Sequence, residues 1–465
     1  MDAINPLSCF KAYDIRGKVG AQIDERIAYY IGCAFADEIR CKEIVIGADN
    51  RLSSESLKQA LIAGFIDSGV DVIDIGLTGT EEVYFATSYF NCDGGIQITA
   101  SHNPKDYNGM KLVKTHSIPI SNDNHLLAIK DKVEDYLLND KNSTTSKKGH
   151  CRSINCKAAY AQKMLSFIDP TKLKPLRIVV NSGNGVAGHA IDEIEAQLQQ
   201  INYAIDFIKI NHQPDGNFPN GIPNPLLPEG RQQTSEAVIE HSADFGIAFD
   251  GDFDRCFLFD EQGQFIDGYY LVGLLAKSFL TKANKPEKVI HDPRVYWNTE
   301  EVVKASGGIA VKSKTGHAFI KQRMRDENAI YGGEMSAHHY FRDFNYCDSG
   351  MITWLLIAEL ISQKDVPLSS YITKMQHRYP ISGEINMTVS DSDAVIKKVK
   401  KHYQALAEYI DLTDGLSMSF IDWRFNLRSS NTEPVLRLNV ETKKNRKLLA
   451  KQVTRLTALI KNNMQ

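Results

Sequence analysis

What this chain of 465 residues lacks narrows the field first. Its eight cysteines (Cys9, Cys33, Cys41, Cys92, Cys151, Cys156, Cys256, Cys347) include no C-x-x-C pair. Zinc clusters and disulfide frameworks both want tighter, paired spacing, so the thiols read as reduced and the compartment as cytoplasmic. No uninterrupted apolar run approaches a membrane span, and Met1-Asp2-Ala3-Ile4-Asn5-Pro6 has neither the basic nor the apolar region of a secretory signal. Neither a membrane nor export is therefore expected. A large excess of charge of one sign is also lacking. A net charge of −3 offers no general polyanion-binding surface, so nucleic acid is not an expected partner. An anionic small substrate would need local basic residues instead. What is present is ordinary for a soluble globular protein: 43% apolar and 24% charged residues. A prior of roughly 150 residues per domain gives about three or four domains.

Residues 8 to about 145 read as α/β. A helical stretch from Glu25 to Ile39 precedes the buried strand Ile44-Val45-Ile46-Gly47, which ends in the polar cluster Ala48-Asp49-Asn50-Arg51. Leu57 to Ile66 is again helical, and Val70 to Ile75 and Gly94 to Ile98 are strands. Such alternation predicts a parallel sheet with functional residues at the strands' C-terminal ends. Residues 138–154 are polar and without period, as in a linker. The strand Arg177–Val180 then leads through Asn181-Ser182-Gly183-Asn184-Gly185-Val186-Ala187-Gly188 into a helix. This G-x-G-x-x-G invites a dinucleotide-binding reading, but the acidic residue near the expected offset, Asp206, lies inside the run Tyr203–Ile210 rather than at a strand end. A third unit begins with strands at 248–249 and 256–259, the latter turned back at Gln262-Gly263 onto Gln264–Ile266. Strand followed by a Gly- or Asp-bearing loop recurs near 47, 181 and 291, a pattern expected of three related units. From about Ile381 the texture becomes α+β, with a basic helix from Ala394 to Ile410, strands at 384–389, 416–420 and 435–440, and a final amphipathic helix from about Lys444 to Leu459. The run Lys397-Lys398-Val399-Lys400-Lys401 reads as a solvated helix face.

Four stretches carry chemistry. In Thr99-Ala100-Ser101-His102-Asn103-Pro104, a serine at a strand-to-turn junction can present its hydroxyl as a nucleophile or phosphate carrier; taken alone, such a serine more often just caps the turn. Asp250-Gly251-Asp252-Phe253-Asp254-Arg255 places three carboxylates at i, i+2 and i+4, which on extended chain point the same way. Their repulsion calls for a cation, and oxygen ligands without His or Cys suit Mg²⁺. An EF-hand competes, since Glu261 falls at its twelfth position, but Arg255 stands where that loop needs glycine; an acidic turn is the third reading. In Gly333-Glu334-Met335-Ser336, glutamate and serine two apart can grip neighbouring hydroxyls of a polyol, or simply complete a loop. Arg428-Ser429-Ser430-Asn431-Thr432 offers a guanidinium, hydroxyls and amides suited to a phosphate. Thr315-Gly316-His317 with Lys321 adds a cationic edge, although His317 alone would read as a helix-start residue.

Together these describe phosphoryl transfer on a sugar phosphate, and their order resembles a family. Ala12-Tyr13-Asp14-Ile15-Arg16-Gly17, the Ser101 stretch with Tyr107-Asn108-Gly109-Met110-Lys111, the Asp250–Arg255 stretch, Gly333–Ser336 and Arg428–Thr432 are similar to the motifs of the α-D-phosphohexomutases across nearly the whole chain. The resemblance implies an α/β fold of four domains, three related α/β units and a C-terminal α+β unit like the TATA-binding protein, around a central cleft. The domains would be 1–150 with the phosphoserine, 151–255 with the metal loop, 256–375 with the sugar loop and 376–465 with the phosphate loop. Ser101 would carry the phosphoryl group and, with Asp250, Asp252 and Asp254, hold Mg²⁺. Glu334 and Ser336 would bind the sugar's 3- and 4-hydroxyls, and Arg428, Ser430, Asn431 and Thr432 the phosphate that does not react. Lys111 and His338, supported by Arg16, would do the acid–base work. Tyr13, His102, Arg255, Arg294, His317 and Lys321 would be substrate contacts.

Glu-Met-Ser at 334–336 is similar to mannose- and glucose-phosphate mutases, whereas glucosamine-phosphate mutases usually have Gln in the middle. Ala337 stands where the family more often has Gly, and with His338-His339-Tyr340-Phe341-Arg342-Asp343 it resembles bacterial members that supply GDP-mannose. The implied reaction interconverts mannose 6-phosphate and mannose 1-phosphate through a hexose 1,6-bisphosphate, in a monomer or homodimer. A glucose-phosphate or dual-specificity mutase, a metal-dependent phosphatase and a non-catalytic sugar-phosphate binding protein are the alternatives.

Overall fold

The helix expected from Glu25 to Ile39 forms over those residues. Asp24 accepts a hydrogen bond from the Ile27 N–H at 2.8 Å, filling one donor that a helix start leaves open, and Arg40 in left-handed conformation ends it. The computed structural model describes residues 7–139, 145, 147–203, 205–364, 366–429 and 435–461. The chain divides into two compact units, residues 1–265 with 343–365 and residues 266–342 with 366–465.

The first unit contains two sheets with one plan. In the first, Asp71–Leu77, Glu43–Ala48 and Gly94–Ile98 run parallel in that spatial order, and Tyr107–Lys114 follows antiparallel. In the second, Ile205–Ile210, Leu176–Asn181 and Phe245–Phe249 are parallel and Cys256–Phe259 is antiparallel. Numbered along the chain, both have the order second, first, third, fourth. Helices Ser54–Asp67 and Ala187–Gln200 make the crossovers. The expected parallel sheets are therefore mixed, because each closes with a tight return strand that alternation alone does not reveal. Ile15–Lys18 lies beyond Tyr107–Lys114, and Cys151–Ser153 pairs with Asp71–Leu77, so part of the stretch read as a linker is an edge strand. Gln264–Ile266 contributes only a bridge from Phe265 to Phe259. The apolar helix Gly350–Lys364 belongs to this unit; buried Glu81 accepts from the Gly350 and Met351 amides and the Ser349 hydroxyl at its start.

The second unit repeats the plan once: Ile309–Lys312, Lys288–His291 and Tyr331–Gly333 are parallel, and His339–Phe341 returns antiparallel. The recurrence read near 47, 181 and 291 thus corresponds to the ends of three equivalent first strands. The rest is an antiparallel sheet in the order Ile381–Thr388, Val435–Thr442, Trp423–Ser429, Leu416–Ser419, Tyr409–Asp411. Its apolar face joins helices Ser392–Tyr403 and Arg446–Lys461 through Val395, Val399, Leu456 and Ile460. The basic helix stops well short of Ile410, which pairs with Met418 in the ladder; an apolar residue consistent with helical spacing serves strand spacing instead.

Among the described residues no helix is long and apolar enough to cross a membrane.

Candidate active site

In all three related sheets the turn between the third and fourth strands carries a sequence-predicted motif: Ser101, the three aspartates, and Glu334 with Ser336.

Ser101 follows the strand Gly94–Ile98 with left-handed backbone, φ 49°, unusual for a residue with a side chain. The Thr99 hydroxyl accepts its amide at 2.8 Å, and its own hydroxyl donates to Asp250 Oδ2 at 2.7 Å. The backbone of the aspartate loop comes just as close: a Cβ on Gly251 would lie 2.5 Å from the Ser101 carbonyl oxygen, so only glycine fits there. The aspartates do not converge by strand alternation, as the spacing predicted. The chain turns, with the Phe253 amide donating to the Asp250 carbonyl at 3.1 Å and Phe253 at φ 47°. Carboxylate oxygens of Asp250, Asp252 and Asp254 come within 4.8 Å of one another, and all three residues are buried. The flanks are two strands of a hairpin rather than two helices, which overturns the EF-hand alternative.

Buried cations answer these charges. Lys111 Nζ donates to Asp252 Oδ2 at 2.7 Å and also to Asp254 Oδ2. Arg255 donates through Nη2 to Asp250 Oδ2 at 2.7 Å. Burial works against the Lys111 ammonium, yet Asp252, Asp254 and Asp250 raise its pKa; burial likewise works against the Asp252 carboxylate, and Lys111 lowers its pKa. Both groups stay charged. His102 Nδ1 lies 2.5 Å from Arg255 Nη2 and 3.0 Å from Ser101 Oγ. Arg255 can only donate, so Nδ1 is the acceptor; burial and then Arg255 hold the imidazole pKa well below its usual value. Arg16 joins this group by donating to Asn103 Oδ1 at 2.8 Å. Tyr13 is half-buried in the loop before Arg16.

The donor set fits a hard divalent cation: carboxylate oxygens only, with buried Asp252 Oδ1 making no hydrogen bond among the described residues. The dinucleotide reading fails on packing. A Cβ on Gly183 would meet Pro223 at 2.4 Å, on Gly185 the Gly251 carbonyl at 2.7 Å, and on Gly188 the His212 carbonyl at 2.3 Å. The chain's own loops fill the space a pyrophosphate would need. Asp206 instead pairs with Arg177 at 2.6 Å.

Sequence reasoning missed two residues here. Thr80, at the start of the helix Thr80–Tyr89, donates its hydroxyl to Asp252 Oδ2 at 2.5 Å and its amide to the Asp252 carbonyl at 3.1 Å. Arg51 is buried under the serine loop. Its signal was the polar cluster closing a parallel strand, where functional residues gather.

In the second unit, Glu334 is buried and each carboxylate oxygen has one of its acceptor sites filled: Oε1 accepts the Gly316 amide at 2.9 Å and Oε2 the Tyr340 hydroxyl at 2.6 Å. Arg294 Nη2 lies 3.3 Å from Ser336 Oγ and 3.7 Å from Glu334, and is held by Asp292 at 2.8 Å. Ala337 has φ 70°, a left-handed conformation that glycine would adopt without steric cost. His317 and Lys321 share a face at the start of helix His317–Glu327, and the His317 and His338 rings are 6.4 Å apart. Arg428 reaches Glu384 at 3.3 Å, as do Arg437 at 3.4 Å and Arg294 at 3.6 Å. Burial works to raise the Glu384 pKa, but these three guanidinium groups lower it. Arg428 and Arg437 face each other across the strands that flank residues 430–434. Ser430, Asn431 and Thr432 lie outside the described residues.

Comparison with known proteins gives matches along nearly the whole chain. Residues 8–139, 158–263 and 267–379 match α/β/α domains I, II and III of phosphoglucomutase/phosphomannomutase, and residues 384–459 match its C-terminal domain. A protein of Salmonella montevideo named phosphomannomutase is 58% identical over 95% of this chain and 96% of its own length. A solved phosphoglucomutase/phosphomannomutase family protein from Burkholderia thailandensis superposes with a TM-score of 0.87 at 30% identity, covering 99% of both chains. An Aspergillus fumigatus N-acetylphosphoglucosamine mutase solved with GlcNAc-6P and magnesium shares the fold, with a TM-score of 0.60, 13% identity and coverage of 98% and 96%.

Proposed function

The chain belongs to the phosphoglucomutase/phosphomannomutase family of phosphohexomutase isomerases, and on that premise we propose that it interconverts mannose 6-phosphate and mannose 1-phosphate in the cytoplasm, feeding GDP-mannose synthesis. The observation that carries this reading is the Ser101 hydroxyl, 2.7 Å from Asp250 within the three-aspartate cluster.

Ser101 is the phosphoryl carrier. It passes its group to the free hydroxyl of a hexose monophosphate, giving a hexose 1,6-bisphosphate, and recovers the other phosphoryl group after the sugar has turned round. Asp250, Asp252 and Asp254 would hold Mg²⁺ with a serine phosphate oxygen, and the ion supplies neutralisation of the charge on the moving group. Arg255 holds Asp250 in place, and Arg16 holds Asn103 in the serine loop. Lys111, kept as an ammonium by Asp252 and Asp254, is the group that returns a proton at Nζ, and His338 is the partner that takes one up. Glu334 and Ser336 bind the sugar's hydroxyls. Arg428, with Ser430, Asn431 and Thr432, binds the phosphate at rest, and Arg294, His317, Lys321, His102 and Tyr13 complete the contacts to substrate.

The test is a ³¹P NMR time course with Mg²⁺, a trace of hexose 1,6-bisphosphate and either mannose 1-phosphate or glucose 1-phosphate. Faster conversion of the mannose ester to its 6-phosphate is expected. Equal rates would make the enzyme dual-specific, and release of inorganic phosphate alone would make it a phosphatase.

A further inference from the structure

The turn that carries Ser101 is closed by one side chain outside it. Arg51 Nη2 donates to the carbonyls of Ser101 at 2.8 Å and Asn103 at 2.7 Å, while Nη1 donates to those of Pro104 at 2.8 Å and Tyr107 at 2.9 Å. Four inward-pointing carbonyls thus share a single guanidinium. Arg51 is itself fixed. Asp49 Oδ1 accepts its amide at 3.0 Å and Asp49 Oδ2 lies 3.4 Å from Nε. The Asp49 amide in turn donates to the Ile98 carbonyl at 2.9 Å, at the end of the strand that leads into the serine. The Phe218 ring covers the guanidinium at 5.5 Å, and the Arg51 side chain is 1% exposed.

We propose that Arg51 is a positioning residue for phosphoryl transfer: by gathering the carbonyls of residues 101–107 it holds Ser101 in its left-handed conformation and aims the hydroxyl at Asp250. The proposal rests on the reading of Ser101 as the phosphoryl carrier. A left-handed residue with a side chain costs about 1 kcal/mol and persists only where the surroundings over-determine it. Here Arg51 Nη2 holds the Ser101 carbonyl and the Gly251 backbone packs against it, so the backbone that carries the hydroxyl is fixed while the hydroxyl donates to Asp250. No other buried side chain type can do the same. A lysine offers a point charge with three donors and cannot reproduce a planar fork spanning four acceptors.

The experiment is Arg51→Lys in the full-length enzyme, with kcat and KM measured separately and hydrogen–deuterium exchange followed through residues 101–107. The expected result is a fall in kcat of about tenfold or more, because displacing a reacting group by an ångström can cost up to about a hundredfold, with KM for the hexose phosphate changed less than about twofold. Amides of the loop should exchange faster while the other strand-end loops do not change. A kcat within about twofold of wild type, or a loss wholly in KM, overturns the proposal. If Arg51→Lys does not fold, Asp49→Asn, which removes the charge that orients the guanidinium, takes its place with an expected fall of about threefold in kcat at constant KM; unchanged kcat again overturns it. Wild-type enzyme inactive on every hexose phosphate would instead reject the transfer reaction itself, an outcome read before any variant is made.

Discussion

The serine turn and the turn at Glu334–His338 occupy the same place in two related sheets, and each bends through a non-glycine residue at positive φ, Ser101 at 49° and Ala337 at 70°. Around Ser101 the surroundings are charged: three buried carboxylates face Lys111 and Arg255, with ions in direct contact. Around Glu334 they are mostly neutral donors, an amide and a tyrosine hydroxyl, with Arg294 at 3.7 Å. One arrangement suits a group that acquires and loses charge; the other suits the fixed recognition of hydroxyls. The shared backbone supplies the sharp bend, and the side chains assign the chemistry.

If that contrast holds, substitutions in the two turns should fail in different ways. Ser101→Ala should reduce turnover by about a thousandfold or more, because it removes the hydroxyl proposed to carry the phosphoryl group, with circular dichroism unchanged. Turnover near wild type by ³¹P NMR would remove Ser101 from the mechanism. Asp252→Asn should cost about a hundredfold in kcat and alter the Mg²⁺ titration, because it removes one of the buried negative charges proposed to hold the ion and paired with Lys111. Chelation of the wild type should be equally inhibitory and reversed by added Mg²⁺; indifference to chelator would reject the metal. Glu334→Gln should lower kcat/KM by roughly tenfold to a hundredfold, the scale of a charged hydrogen bond, without changing the Mg²⁺ titration. A shifted Mg²⁺ requirement there would blur the contrast between the turns.

Two smaller effects belong to the turn at Glu334–His338 and the strand that follows it. His339 is buried and hydrogen-bonded through Nδ1 to the Tyr331 hydroxyl at 2.6 Å. Burial, with a smaller effect from His338, brings its pKa down from 6.5 to about 3. The unfolded chain therefore takes up this proton first, so stability present above pH 6.5 is lost as pH falls towards 3. Between pH 7 and pH 5 the loss is about 2 kcal/mol. Urea unfolding at the two values should show this dependence in wild type and a weaker one in His339→Phe; parallel behaviour would assign the acid sensitivity elsewhere. Ala337→Gly should have the smallest effect, up to about 1 kcal/mol of added stability read as a small rise in melting temperature, because glycine adopts positive φ without steric cost. A fall would show that the Ala337 methyl contributes more by packing than its backbone costs.

Much of this was legible in the chain. The strands ending near Gly47, Asn181 and His291, the three motif turns and the helix Glu25–Ile39 follow from local periodicity and turn chemistry, which neighbouring residues dictate. Less visible were features set by a pairing partner rather than by the local pattern. Ile410 became a strand residue because Met418 pairs with it. The glycines of 183–188 look like a nucleotide fingerprint until Pro223, Gly251 and His212 are seen to fill the space beside them. Arg51 reads as one member of a polar cluster until the chain 50 residues further on returns over it.

The amino-acid sequence by itself determined which groups are available: a serine where a strand ends, three aspartates without nitrogen or sulfur ligands, a glutamate and a serine two apart. Spacing and side-chain chemistry are local properties, and they suffice to name a class of reaction. Only the tertiary structure decided how those groups are held: that the aspartates meet through a turn, that Lys111 and Arg255 offset their charge, and that Arg51 fixes the serine loop. The reason is physical. A buried charge or an inward-facing carbonyl is tolerated only with its partner in place, and that partner comes from wherever the fold brings the chain back.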